Sequence, residues 1–292
     1  MAEHEMNRSA LDLPAEVAQE VLQKTQTASA VMRLATPMTL PGTGLAIPTI
    51  LTDPVANWVD ETGKKPVSKP TVAMKKLHPY KLAVIVPFSD EFRRDAKRLY
   101  DALIARLPNA LGQKFDSTVF GPQSGRPGEH FDTLGAITAQ DLTGEDGAYA
   151  ALADADASIA AAGGLMNGIA LSPQGKGILL KATDKNGRPL FVNNVAEGAV
   201  PMVLGAKTLI AKGAYVAGNP PGFNTVGVAG DWSQAVYGTV EGVKVKIADQ
   251  ATITIDGNPV NLWERNMFAV LAEIEVGFRA DTSAFNLLTA AV

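Results

Sequence analysis

Three histidines are the first residues to consider for chemistry, because imidazole serves both catalysis and metal binding. They are His4, His78 and His130, one in a polar N-terminal segment and two near predicted turns. A metal centre or a catalytic triad needs partners that converge on one point, and the sequence around these residues offers none. We therefore expect solvated histidines, and neither a metal nor a cofactor.

Two carboxylates, Glu273 and Glu275, stand two residues apart in a run of alternating apolar and polar side chains. This spacing places them on the same face of a β-strand. A glycosidase would use such a pair on either side of a sugar cleft, but we find no partner groups for one. Solvated charges on the open face of a sheet are the simpler interpretation.

The glycine-rich segment 163–168 resembles a phosphate-binding loop only in composition. Dinucleotide-binding loops follow a strand and precede a helix, whereas here a predicted helix comes first and a strand follows. The segment is therefore interpreted as the end of a helix. A lysine cluster, formed by Lys64, Lys65 and Lys69, is on residue pattern alone a solvated group of charges.

Composition excludes several classes of protein. The chain has 292 residues, of which 46% are hydrophobic, so it can bury a core and is not disordered. It has no cysteine, which excludes disulfides, thiolate metal sites and cysteine nucleophiles. The net charge of −4 argues against a dedicated nucleic-acid binder. Because neither a signal peptide nor a membrane span is recognisable, a soluble cytoplasmic protein is the default expectation.

The first half of the chain is predicted to contain two helices and a long hairpin. Residues 12–30 are predicted to be helical. A second helix is expected over 89–107, capped by Ser89, and Pro108 is expected to kink or restart it. Strands broken by prolines predict an extended hairpin with a charged tip, over 46–51, 55–59, 71–77 and 81–86. A two-stranded arm is marginal alone, so we expect it to lie against something else, such as another subunit.

The second half is predicted to be a mixed α/β module that ends in a long strand. Helices over 147–162 and 174–182 flank a strand over 168–171. The last element, over 268–278, alternates with period two and predicts a long half-buried strand. Between them we predict short strands near 208–211, 214–217, 225–229, 235–240 and 243–247.

Several motifs occur in an order that is typical of one family. They are NWVDETGKKPVS at 57–68, VPFSDE at 86–91 ahead of a long helix, IALSP at 169–173, GRPLF at 187–191, GDWSQ at 230–234, and residues 266–285. Each motif alone is weak, but together they resemble the major capsid proteins of tailed double-stranded DNA phages, which have the Hong Kong 97-type fold. The resemblance covers about residues 30–288.

This resemblance implies an α+β, Hong Kong 97-like capsid fold. Its hairpin lies over a neighbouring subunit, and the inter-subunit loop residues here would be Trp58, Glu61, Lys64 and Lys69. The implied regions are an N-terminal arm (1–35), an extended loop (36–88, tip near 60–69), a peripheral domain with a long spine helix (89–140), an axial α/β domain (141–250) and return strands of the peripheral domain (251–292).

The resemblance also implies a structural function and no enzymatic turnover. Copies of the chain would assemble as hexamers and pentamers into an icosahedral phage head. The head would enclose double-stranded DNA without sequence-specific binding, and its assembly in the host cytoplasm would yield the virion capsid. The implied partners are other copies of the chain, a portal protein and separate scaffold or decoration proteins, and no membrane.

One type of family member strengthens its shell with isopeptide bonds, and the matching positions here are Lys65, Asn266 and Glu273. In that chemistry the lysine of one subunit attacks the asparagine amide of another, and the glutamate accepts a proton. The lysine must be neutral, so the site must desolvate it. Seven residues of extended strand cover about 23 Å. Asn266 and Glu273 of one chain could therefore not meet, and the site would have to form between subunits.

Two other functions remain open from the sequence. An encapsulin-like nanocompartment shell would share the fold and enclose cargo protein, so the content of the particle distinguishes it from a phage head. A soluble α/β metabolic enzyme is a more distant alternative, since it would need a constellation of catalytic groups that the chain does not display. An enzyme would elute from a sizing column as a small oligomer, whereas a capsid protein would elute as capsomers or shells.

Overall fold

Two β-sheets, one of five strands and one of six, form the body of the chain. The computed structural model describes residues 23–50, 56–59, 64–65, 67, 72–95, 103–184, 186–191, 200, 202–218, 223–255 and 257–291. Two further pairs of strands form two-stranded sheets outside the two main sheets: β2 (Leu45–Ile50) with β3 (Val72–Leu77), and β12 (Thr252–Ile255) with β13 (Asn258–Asn261). The described fold is therefore a mixture of helices and mainly antiparallel sheets, in agreement with the expected α+β class.

The five-stranded sheet is built around its longest strand, β14 (Met267–Ala280). Strand β4 (Tyr80–Ser89) pairs antiparallel along one part of β14, from Met267 opposite Ser89 to Val276 opposite Tyr80. Antiparallel strands β10 (Ala235–Thr239) and β11 (Lys244–Ala248) also pair with β14, and β1 (Thr36–Thr39) adds to β10 in parallel. One face of β14 is buried as its alternation predicts, through Phe268, Val270, Ala272, Ile274, Val276 and Phe278.

The six-stranded sheet has the order β5-β15-β9-β6-β8-β7. Its strands are β5 (Ala139–Asp141), β6 (Gly168–Leu171), β7 (Met202–Val203), β8 (Ala206–Ile210), β9 (Phe223–Gly230) and β15 (Phe285–Ala291). Strand β6 is buried at all four positions, so it lies inside the sheet. Side chains of the helices α4 (Gly147–Ala161) and α5 (Pro173–Lys181) share a second hydrophobic core with this sheet, which includes Leu152, Ile159, Ile169 and Leu179.

Several shorter helical segments come before α4 in the described part of the chain. Residues 23–28 are helical, and α1 (Ala30–Leu34) follows directly. Helix α2 (Asp90–Asp95) is capped by Ser89, as predicted, because the Ser89 hydroxyl accepts a hydrogen bond from the Phe92 N–H at 3.1 Å. Residues 96–102 of the predicted helix 89–107 lie outside the described residues. Helix α3 (Leu107–Val119) begins after a turn at 105–106 and has a proline in its first turn, so the expected restart at Pro108 is confirmed.

Aromatic side chains connect α3 to the five-stranded sheet. Phe115 of α3 meets Phe131 and Phe278 edge-on, with ring centroids 6.2 and 6.4 Å apart. Leu111 and Val119 lie one turn before and after Phe115 and are also buried. This i, i+4, i+8 spacing gives α3 one continuous apolar face. The main hydrophobic core of the described residues therefore lies between α3 and β14.

Two of the crossings that the chain makes between the two sheets have the same local structure. A 3₁₀ turn, Trp232–Gln234, leads from β9 to β10, and another, Thr282–Ala284, leads from β14 to β15. In each, an aspartate side chain accepts hydrogen bonds from the N–H and hydroxyl of the serine two residues later, as in Asp231 with Ser233 and Asp281 with Ser283.

The two crossings are also hydrogen-bonded to each other. The Asp231 N–H donates to the Ala284 carbonyl at 3.0 Å, and the Asp281 N–H donates to the Gln234 carbonyl at 3.2 Å. Gly230 lies opposite Phe285, and a Cβ at this position would clash with the Phe285 ring. This reciprocal pair of hydrogen bonds joins the two sheets at one point.

Local elements agree closely with the sequence predictions, but sheet membership does not follow the chain order. Strands β10 and β11, predicted within the α/β module 141–250, belong to the five-stranded sheet, and β15, within 251–292, belongs to the six-stranded sheet. The range 36–88 likewise contains strands of the five-stranded sheet at both ends, β1 and β4. The repeated crossings explain these differences.

Three predicted elements differ from the structure. A strand at 214–217 is wrong, because Lys212–Ala214 forms a 3₁₀ turn and only Val216 makes an isolated bridge, to Thr225. Residues 56–59 of the predicted strand 55–59 have no regular secondary structure. The predicted helix 12–30 is interrupted at Ser29, which caps α1, and its part before residue 23 lies outside the described residues.

The two aspartates of the crossings predict unequal effects on stability. Asp231 also accepts from the Leu165 N–H and the Asn167 amide, at 3.1 and 2.7 Å. Asp281 is only half-buried, and its side chain accepts from Ser283. We expect Asp231→Ala to lower the free energy of unfolding by about 3 kcal/mol, and the matched Asp281→Ala by about 1 kcal/mol. Urea denaturation of the two variants measures both, and equal losses would contradict this assignment.

The stabilising effect of the Asp231 carboxylate should decrease in acid. Burial raises the pKa of Asp231, but hydrogen bonds from Ser233, Leu165 and Gln234 outweigh it, so the pKa lies below its ordinary value of 3.8. A lowered folded-state pKa adds stability above the unfolded value, which is lost as the pH falls through the folded value. We therefore expect the stability gap between the wild type and Asp231→Ala to narrow below about pH 4.

Candidate functional site

A hairpin of β2 (Leu45–Ile50) and β3 (Val72–Leu77) projects from the end of the five-stranded sheet. The strands pair antiparallel, from Leu45 opposite Leu77 to Ile50 opposite Val72, and form a two-stranded sheet of their own. Met74 on β3 is 69% exposed, and Leu45 on β2 is also exposed. An isolated two-stranded ribbon with exposed apolar side chains is marginally stable in water.

The base of the hairpin is attached to β14 by buried and hydrogen-bonded groups. Leu77 is fully buried, and the Arg279 Nε–H donates to the Lys76 carbonyl at 2.8 Å. The same arginine forms an ion pair with Asp132 at 2.6 Å, and the Lys75 ammonium donates to the Ala280 carbonyl. Since Arg279 contacts both Lys76 and Asp132, it sets the direction in which the hairpin leaves the sheet.

The tip of the hairpin presents unpartnered apolar and basic side chains in the part that the structure describes. Trp58 is fully exposed, Val67 is 82% exposed, and Lys64 and Lys65 are exposed as well. Two of the expected inter-subunit residues, Glu61 and Lys69, lie outside the described residues. A large aromatic side chain held in water is typical of a surface that another chain covers.

Asn266 lies in a tight turn at the start of β14. It follows the 3₁₀ turn Trp263–Arg265 and has a left-handed backbone, with φ 51°. Asparagine tolerates this conformation better than most residues. The Asn266 carbonyl accepts a hydrogen bond from the Asp90 N–H at 3.0 Å, and the nearby Trp263 is 66% exposed. The turn therefore holds Asn266 at the surface beside an exposed indole.

Glu273 lies on the open face of the five-stranded sheet with Glu275, as the alternation predicted, and both side chains are half-buried. Glu273 is paired in register with Lys244 on β11. Lys244 itself forms an ion pair with Glu241 at 2.6 Å, and the hydrogen bond from Lys244 holds the pKa of Glu241 below its usual range. Glu275 is 3.5 Å from Lys81 of β4.

The structure does not bring the three predicted crosslinking residues together within one chain. Asn266 directly precedes β14, and Glu273 is seven residues further on within that extended strand, so they are about 23 Å apart. Lys65 lies at the tip of the hairpin, exposed to solvent. A site that uses all three residues must therefore be completed by another subunit.

The structure also places the other candidates from the sequence. Gly163 follows α4 with φ +83°, which confirms the glycine-rich segment as the end of a helix. His78 packs against Tyr80 at 5.1 Å and its Nδ1 is buried, so this histidine is less solvated than predicted. Across the described residues, no cluster of three His, Asp or Glu side chains could hold a metal ion, and no helix is long and apolar enough to cross a membrane.

Sequence reasoning missed the Arg279–Asp132 ion pair and a buried carboxyl, Asp116. Asp132 and Arg279 are 147 residues apart in the sequence, and nothing in the local sequence of either residue indicates the other. Asp116 appears as one polar position in α3, yet its side chain is fully buried. A polar residue on the apolar face of an amphipathic helix is the only local signal that could have indicated it.

Comparison with solved structures places this fold among those found in phages. A chain from Mycobacterium phage Adephagia matches with a TM-score of 0.71 and 23% identity, over 91% of both chains. A chain from the capsid of a native GTA particle, computed with C5 symmetry, matches with a TM-score of 0.62 and 17% identity, over 92% of this chain and 91% of that one. These likenesses define the class of fold.

The sequence comparison is more specific. The model of the phage capsid family matches residues 11–290, so the chain belongs to the phage capsid family. A relative described as a probable major capsid protein gp17, from Mycobacterium phage D29, is 29% identical over 286 residues, which cover 95% of this chain and 89% of the relative.

Removing Arg279 should loosen the hairpin and the sheet together. The Arg279 and Asp132 side chains are only 15% and 20% exposed, so Arg279→Met would leave a poorly solvated carboxylate and is expected to cost about 3 kcal/mol. The matched Lys81→Met removes a pair whose lysine is 67% exposed and should cost less than about 1 kcal/mol. Urea denaturation compares them, and a similar loss in both would refute the special role of Arg279.

Proposed function

We propose that this chain is the major capsid protein of a tailed phage and that its copies assemble into a closed shell around double-stranded DNA. The observation that carries the proposal is the match of the phage capsid family over residues 11–290, nearly the whole chain. The name of the phage D29 relative, a probable major capsid protein, supports the same function. A structural function, without enzymatic turnover, follows from it.

The fold is proposed to be of the Hong Kong 97 type, with the β2–β3 hairpin as its extended loop. Exposure supports this assignment, because Met74, Trp58 and Val67 leave the hairpin's apolar surface uncovered in a single chain. A neighbouring subunit that receives the hairpin would bury these side chains and supply the support that a two-stranded ribbon lacks. The α3 region and the five-stranded sheet would form the peripheral domain, and the six-stranded sheet the axial domain.

Hexamers and pentamers are the proposed assembly units. The matching GTA chain belongs to a capsid computed with C5 symmetry, so copies of this fold can surround a fivefold axis. A hairpin of one copy on the body of the next is a heterologous contact, which closes into rings when the rotation between copies is right. Portal, scaffold and decoration proteins are further proposed partners, and the net charge of −4 is consistent with DNA that is enclosed without tight binding.

Assembly should depend on the exposed tryptophan of the hairpin. Trp58 makes no buried contact in the single chain, so Trp58→Ser should leave the melting temperature of the unassembled chain unchanged. Loss of an interfacial tryptophan costs about 2 kcal/mol or more, so the concentration needed for assembly should rise about 30-fold. The matched Trp58→Phe should retain most of the assembly, which light scattering and electron microscopy measure.

Two results would contradict the proposed function. The wild type could elute from a sizing column only as a small oligomer under all assembly conditions, which would favour an enzyme. Alternatively, purified particles could contain cargo protein and no nucleic acid, which would favour a nanocompartment shell. If Trp58→Ser assembles as well as the wild type, the shell function stands but the hairpin contact is wrong.

We further propose that assembled subunits form isopeptide bonds between Lys65 and Asn266. The neutral Nζ of Lys65 attacks the side-chain amide carbon of Asn266 of another copy, a C–N bond forms, and the amide nitrogen leaves as ammonia. Glu273 accepts the proton that the attacking amine loses. Exposure of Lys65 and the surface turn that presents Asn266 support this chemistry, because both groups are accessible to another subunit.

A denaturing gel of assembled particles tests this bond. Wild-type particles boiled in denaturant should yield covalent oligomers, whereas Lys65→Arg and Asn266→Asp should yield monomer, since neither variant can complete the amide exchange. Asn266→Asp is the suitable change because aspartate also tolerates a left-handed backbone. Glu273→Gln should slow the reaction by about 100-fold or more.

Lys64→Arg is the matched control and should crosslink like the wild type. A clean monomer band from wild-type particles that are intact in the electron microscope would rule out the bond and leave the capsid function standing. Crosslinking that persists in Lys65→Arg would instead assign the bond to another lysine.

A further inference from the structure

Asp116, in the middle of α3, ties the N-terminal segment to the body of the chain. Its carboxyl accepts hydrogen bonds from the Ser29 hydroxyl at 2.5 Å, the Ala30 N–H at 2.8 Å and the Val31 N–H at 3.2 Å. The Ser29 hydroxyl in turn accepts from the Met32 N–H at 3.1 Å. One carboxyl therefore satisfies the first free N–H groups of α1.

The same carboxyl is sealed from water. The Asp116 side chain is fully buried, and the turn Lys212–Ala214 packs so closely that a Cβ at Gly213 would lie 2.6 Å from the Asp116 Cβ. Burial raises the pKa of Asp116 to about 7, although the hydrogen bonds from Ser29, Ala30 and Val31 lower it. Desolvation of the charged form is thus stronger than the hydrogen bonds that favour it.

No charged side chain on the neighbouring elements that the structure describes compensates for this burial. The elements around Asp116 are residues 23–28, α1, the rest of α3 and the turn Lys212–Ala214. Their charged residues are all exposed: Lys24, Arg33, Lys114 and Lys212. Helix α3 also packs on β4 and β14, whose even-numbered side chains face it. The charged residues of these two strands are at odd-numbered positions and therefore lie on the opposite face of the sheet: Lys81, Glu273, Glu275 and Arg279.

We propose that Asp116 is a pH-dependent latch, which holds residues 23–34 on α3 more firmly in acid than at neutral pH. An aspartate released into water loses its proton near pH 3.8, whereas the docked one keeps it to about pH 7. Docking is therefore strongest below pH 3.8 and weakens as the pH rises to about 7, by up to about 1000-fold over the whole range. The latch rests on this geometry and does not depend on the proposed function.

Opening of the latch would uncover apolar surface. Val31 and Met32 of α1 are buried against the core that contains Leu111 and Phe115 of α3. Their release at neutral pH would expose both sides of this contact to other chains, whereas acid would keep them covered. The pH would thus control how readily the N-terminal segment leaves its own subunit.

Hydrogen exchange of the full-length chain between pH 4 and pH 8 tests the latch, with rates converted to protection factors so that the intrinsic pH dependence cancels. The amides of Ala30, Val31 and Met32 should be less protected than those in the centre of β14, and their protection should fall between pH 4 and pH 7. Asp116→Asn, which remains neutral, should abolish that fall. Asp146→Asn, at an exposed position, should leave it unchanged.

A second variant keeps the test decisive if Asp116→Asn does not fold. Ser29→Ala removes a hydrogen bond that lowers the Asp116 pKa, so the midpoint of the protection curve should move above its wild-type value. The latch is disproved if the three amides exchange only together with β14, if their protection does not depend on pH, or if Ser29→Ala leaves the midpoint in place.

Discussion

The reciprocal hydrogen bonds between the two sheet crossings are the contact on which the remaining architecture depends. The Asp231 and Asp281 N–H groups each donate to the last part of the other crossing, so neither turn can shift without the other. Trp232 meets Phe285 edge-on at 5.2 Å in the same place. Because β9, β10, β14 and β15 all enter or leave here, the junction relates the two sheets and, through β14, the hairpin.

The hairpin depends on this junction for its position and on another chain for its stability. Arg279, two residues before Asp281, holds the Lys76 carbonyl, so the direction of the arm is linked to the crossing next to it. The arm itself buries little apolar surface, since Met74 and Trp58 remain exposed. A rigid base with an uncovered end suits a contact that forms only on assembly, which is consistent with the proposed shell.

Local sequence patterns predicted many helices and strands well, because these elements depend mainly on residues that are close in sequence. Strand β6 occupies the predicted residues 168–171, and α3 restarts at Pro108 because proline suits the first turn of a helix. The period-two alternation of β14 identified its buried face and the shared face of Glu273 and Glu275. The predicted strand at 214–217 was wrong because a short small-residue segment carries no clear period.

The sequence by itself determined the types of most of the predicted elements, the buried face of β14 and, through resemblance, the candidate residues Lys65, Asn266 and Glu273. Only the tertiary structure decided which strands share a sheet. The alternation of apolar and polar side chains indicates which face of a strand is buried, but it does not identify the strand that pairs with it. It alone revealed the Arg279–Asp132 pair and the burial of Asp116, whose partners lie 147 and 87 residues away. Such contacts arise when the chain folds back on itself, and no local periodicity encodes them.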